Sequence, residues 1–123
     1  MKKLIPIIFI LTFNSCLMFK RNGIEMKIIN NSDNTITNIE FTTTEKLEVI
    51  KIDKIKPNEC ITKFLSMSKN KSDGSYLLTF IRTNGQKETI GSGYYTNGGS
   101  LDHWIDFTVD NDTTFVSFDA PIY

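Results

Sequence analysis

Alanine is almost missing from this 123-residue chain, since Ala120 is the only one. With so few strong helix formers, no stretch carries a helical period, and a helical bundle is excluded. Arginine is nearly as scarce: Arg21 and Arg82 stand alone among lysines, so no arginine cluster can clamp a phosphate. Acidic and basic residues balance at a formal net charge of zero, which leaves no electrostatic footprint for nucleic acid. His103 is the sole histidine. No Gly-x-Ser-x-Gly elbow and no glycine-rich phosphate loop before a helix can be found, so the sets for nucleophilic or phosphoryl chemistry are incomplete. The expectation is a protein without catalytic residues, metal or cofactor.

What is present begins with a short basic head, Met1-Lys2-Lys3, followed by an apolar run over residues 4–13. Asn14-Ser15-Cys16 closes it. A membrane span wants about 20 apolar residues, and this run is too short. A charged head, an apolar stretch of this length and a small residue before the cut instead read as a secretory signal. The segment from Lys2 to Cys16 resembles a bacterial lipoprotein signal peptide, although Phe13 stands where leucine is usual in that pattern. The resemblance implies that Cys16 becomes the first mature residue and carries the acyl chains. At about 0.8 kcal/mol per buried methylene, two or three such chains hold a protein stably on a membrane. Leu17 in place of an aspartate after the cysteine implies the outer membrane, and the lack of an acidic export patch implies its periplasmic side.

The expected organisation is therefore a signal over residues 1–15, a lipidated tether over 16–23 and one domain over 24–123. Loss of Lys2 and Lys3 with the signal leaves twelve basic residues against fourteen acidic, about two negative charges in excess. Cys60 is then left without a partner, and its place at the head of Cys60-Ile61-Thr62-Lys63-Phe64-Leu65 suggests burial. One histidine and one spare cysteine cannot assemble a structural zinc site.

The body reads as seven to eight short strands separated by turn clusters, which predicts an all-β fold, an antiparallel β-sandwich of immunoglobulin-like or similar form. Asn30-Asn31-Ser32-Asp33-Asn34, Pro57-Asn58-Glu59 and Asp110-Asn111-Asp112-Thr113 mark turns. The phase slip through Leu47, Val49, Ile50, Ile52 and Ile55 predicts a bulge or a strand that changes sheets. This pattern of turns resembles that of small bacterial lipoproteins.

Two Asn-Gly steps, Asn84-Gly85 and Asn97-Gly98, predict hairpins. They divide residues 75–109 into three strands in a row, with Thr79 opposite Ile90. In the third, Leu101, His103, Ile105, Phe107 and Val109 share the buried face, which makes His103 a partly buried, hydrogen-bonded residue. Asp102, Trp104 and Asp106 share the other face. Such pairing sets Gly91 and Gly93 between Tyr76 on one side and Trp104 on the other, with Tyr95 just beyond. Glycines within strands mark a bulge or a close approach. The functional reading is a shallow aromatic groove of Tyr76, Gly91, Gly93, Tyr95 and Trp104 for a glycan or peptide; the structural one is a bulge, or a ring folded over bare positions. Asp102 and Asp106, four residues apart on a strand, would lie about 13 Å from each other, too far for a shared metal or a glycosidase pair.

These features imply a membrane-anchored envelope protein that binds a protein or glycan partner. The alternative is an immunity or inhibitor protein directed at a toxin or hydrolase of the envelope.

Overall fold

A computed structural model describes residues 21–119. They form nine strands: β1 (Gly23–Asn30), β2 (Ile36–Thr43), β3 (Val49–Ile55), β4 (Cys60–Ser66), β5 (Gly74–Ile81), β6 (Lys87–Thr96), β7 (Gly99–Ser100), β8 (Trp104–Val109) and β9 (Thr114–Phe118). Two sheets result, one in the order β4-β1-β8-β9 and the other β3-β2-β5-β6-β7. The fold is an all-β sandwich, as expected. Its core is a single cluster drawn from both sheets, including Ile24, Met26, Ile28, Ile39, Phe41, Tyr76, Leu78, Phe80, Ile105 and Phe107. Phe41 packs edge-on against Phe107, with ring centroids 5.8 Å apart, and so joins the two layers.

One pair departs from the antiparallel expectation: β8 runs parallel to β1, from Glu25 opposite Trp104 to Asn30 opposite Val109. The chain explains it. After β6, Asn97 and Gly98 both take positive φ (48° and 72°), the geometry of a tight two-residue hairpin turn. Thr96 thus faces Gly99, and β7 ends after two residues. The chain then crosses to the other sheet and enters β8 at the end where β1 begins. The expected third strand is thus cut to the two residues of β7, and β8 does not join the row of β5 and β6.

The first hairpin turns at Asn84-Gly85 with a register one residue from expectation, Thr79 facing Thr89. Gly85 N–H donates to the Arg82 carbonyl and Arg82 N–H to that of Gln86, so the loop has three residues, Gly85 (φ 83°) taking the left-handed one. Pro57-Asn58 behaves as read: Glu59 N–H closes a turn onto Lys56, with Asn58 at φ 66°. The slip through Ile50, Ile52 and Ile55 faces an irregularity in β2 between Thr37 and Glu40, where Asn38 has φ 49°.

Four residues differ from their expected burial. Cys60 is exposed, because β4 is an edge strand and Cys60 shares the outward parity of Thr62 and Phe64. Leu101 and His103 are exposed and Asp102 is buried, because residues 101–103 belong to the crossover and lose the parity of β8. Asp102 and Asp106 consequently share no face; Asp106 lies on the outer surface beside Lys27, at 3.5 Å.

Candidate functional site

The aromatic groove is absent. Tyr76 and Tyr95 are fully buried, their rings 5.8 Å apart between the sheets. Gly93 is a bulge residue at φ 73°, and a Cβ there would come within 2.7 Å of the Tyr76 ring. Gly91 lies on the outer face of the sheet opposite Leu77. Trp104 sits in the other sheet, one-third exposed beside Glu25. The five residues are not brought together, and the ring of Tyr76 over Gly93 satisfies the structural reading of the glycines. Cys16 lies outside the described residues.

What the structure does bring together lies at the two ends of the sandwich. At the first end, where the chain enters β1, Asn22 ties three segments. Its amide donates to the carbonyls of Met67 (3.1 Å) and Gly98 (2.7 Å), and its carbonyl accepts from Ser100 N–H. Arg21 stacks over the Phe64 ring at 4.9 Å. A cavity of about 300 Å³ opens here, lined by Arg21, Phe64, Ser100, Asp102 and His103 among others. Asp102 is 4% exposed and its Oδ1 has no hydrogen-bond partner. Burial pushes its carboxyl upward, helped by the charge of Asp119 and opposed by His103. Tyr76 hydrogen-bonds Ser100 at 2.8 Å, and burial raises its hydroxyl to about 12.

His103 meets Asp119 at 2.7 Å, and the amides of His103 and Trp104 donate to the same carboxylate. Burial raises Asp119, but these hydrogen bonds outweigh it and hold the group low. These three bonds fix the start of β8, and among the described residues no hydroxyl or thiol is hydrogen-bonded to the His103 ring.

Close by, Glu45 latches the loop after β4. Its carboxylate accepts from the Tyr95 hydroxyl (2.7 Å), the Asn70 amide (2.7 Å) and the backbone of Lys71 and Ser72 (3.1 Å each). These bonds, that from Tyr95 foremost, lower it from 4.5 to about 2 against the opposing effect of burial. Nothing in the sequence marks Glu45, because a side chain that bonds across 25 to 50 positions leaves no local signal.

The second end is polar and interlocked. Asn30 is fully buried, its amide donating to the carbonyls of Asn34 and Ile55 (2.9 Å each) while Ser32 N–H donates to its Oδ1. The loops after β1 and β8 grip each other. Asn31 donates to Asp110 (2.9 Å), Asp33 N–H to Asn111 (2.8 Å), and the Asn111 amide to Asp33 (3.1 Å). Arg82 reaches the Asp110 carbonyl at 2.8 Å and pairs with Glu88. A polar cleft of about 160 Å³ runs between Ser32, Asn34, Arg82, Asn84 and Asn111. The turn clusters were legible as turns, but their mutual bonding follows from the fold.

No family model matches the chain, and no curated protein matches it. Among solved structures it is similar to one described as the NMR structure of a protein from Eubacterium rectale. The TM-score is 0.54 at 12% identity, over 82% of this chain and 92% of that one. The likeness is one of fold.

Proposed function

We propose that this chain is a lipid-anchored protein of the bacterial envelope that acts by binding a partner and not by catalysis. The observation that carries the reading is the division of labour between the two ends of the sandwich. The segment resembling a lipoprotein signal, Lys2 to Cys16, leads into Arg21 and Asn22, which dock at one end. The opposite end presents loops cross-linked through Asn31, Asp33, Asp110 and Asn111. Anchored at Cys16, the protein holds that polar platform away from the bilayer.

The platform offers amides and hydroxyls together with the carboxylates of Asp33, Asp110 and Asp112, a surface suited to a glycan or to a polar patch of a protein. Its cross-linked loops need little further ordering on binding, which favours affinity. The same rigidity suits the alternative role of an immunity or inhibitor protein covering the site of an envelope toxin or hydrolase. The membrane is the other partner, through the lipid, and the outer membrane facing the periplasm is the proposed location.

Metabolic labelling with a palmitate analogue tests the anchor. Label on the wild type and none on Cys16→Ala is the expected result; equal label on both, or none on either, rejects it. For the binding role, a photo-crosslinker at Asn84 is expected to capture a partner that one at Lys51, on an outer sheet face, does not.

A further inference from the structure

The apolar side chains left exposed on this sandwich are unevenly placed along its strands. Eight large hydrophobic or aromatic residues are exposed among those described. Seven lie towards the end where the chain enters β1: Leu47 just before β3, Val49 at its start, Phe64 near the end of β4, Leu101 in the crossover and Trp104 at the start of β8 among them. Only Phe115, following the first residue of β9, lies towards the polar end. Phe64 and Trp104 both face Glu25, the third residue of β1, and flank it on one outer surface. Strand spacing sets them about 10 Å from each other and about 7 Å in from the sandwich end. Arg21 lies over one of these rings.

We infer that this end of the sandwich rests in the bilayer interface, with Trp104, Phe64 and Leu101 at the level of the lipid headgroups. The inference rests on the proposed anchor at Cys16. Five residue steps separate Cys16 from Arg21, so the acylated residue lies at most about 18 Å from the domain. A headgroup layer takes up roughly 5–8 Å of that reach. The short tether therefore keeps this end beside the membrane at an effective concentration in the millimolar range, where even a contact with a millimolar dissociation constant is half populated. Aromatic side chains with one polar edge favour that depth, and the tryptophan at this rim suits it. Charge is mixed here, Lys69 pairing with Glu48 at 3.2 Å, so the contact draws on apolar area more than on anionic lipid.

Trp104 is the only tryptophan, which makes the test direct. The protein as processed in its native host is purified from envelope membranes and reconstituted into phosphatidylcholine vesicles whose acyl chains are brominated near the headgroup, and its flotation and Trp104 emission are measured. The expected result is flotation with a blue shift and about twofold quenching, as for an indole at the interface, the quenching being weakened in Leu101→Asp. Protein that floats with Trp104 unquenched overturns the inference and leaves the anchor standing. A blue shift without quenching assigns the face to a second protein molecule and also overturns it. Protein that does not float removes the anchor reading, and the inference with it.

Discussion

Gly91 and Gly93 stand two positions apart in one strand and have opposite tolerances. A Cβ at Gly91 would meet only Leu77, at an ordinary 3.5 Å, whereas Gly93 combines a positive φ with the ring of Tyr76 at 2.7 Å. Gly93→Ala should cost more than about 1 kcal/mol, because the left-handed backbone and the clash act together, while Gly91→Ala should be close to neutral in urea unfolding. Glu45 gives a pH signature. Its folded value lies below its ordinary one, so the stability it supplies is full above about 4.5 and is lost as pH falls towards about 2. Glu45→Gln should flatten the unfolding midpoint across that window. Asp102 has the opposite sign. Its raised value adds stability below the ordinary carboxylate range, and this is lost as pH rises through the raised value. Asp102→Asn should therefore remove this loss, so that the unfolding midpoint of the variant falls less than that of the wild type as pH rises above the ordinary carboxylate range.

At the scale of elements, the strands and their inward faces were readable because period-two alternation and Asn-Gly turns are local signals. Ile105, Phe107 and Val109 point into the core as their alternation requires. Which strand lies beside which was not readable. Periodicity names a face and never a neighbour, and a two-residue β7 followed by a crossover reads in sequence as one continuous strand. That error created the groove: with β8 placed beside β6, Trp104 fell opposite Gly93, whereas it lies beside Glu25 in the other sheet. The one-residue change in the first hairpin had the same kind of effect, since a slip of one exchanges the faces of every residue beyond it. The buried Asp102 shows where the parity breaks, but a charged residue in a crossover gives no warning of burial. Phe107, wedged against Phe41, should be a principal tie between the layers; Phe107→Ala is expected to cost about 3–5 kcal/mol, read as a lowered denaturation midpoint.

On the scale of the whole molecule, strand direction sorts the chain into two ends. Asn22, Met67, Gly98 and Ser100 meet where the chain enters β1; Asn31, Asp33, Asp110 and Asn111 meet at the other. The first end collects the exposed aromatic and aliphatic side chains and the second the interlocked amides. That polarity suits the proposed attachment at Cys16, which would set the first end beside the bilayer and the second away from it. The account thus turns on Cys16 being the point of attachment. Mass spectrometry of the protein extracted from envelope membranes of its native host measures this most directly. The account predicts an N-terminal peptide that begins at Cys16 and carries a diacylglyceryl group. A peptide that begins at Met1, or one that begins near residue 16 with no acyl chain, would contradict it.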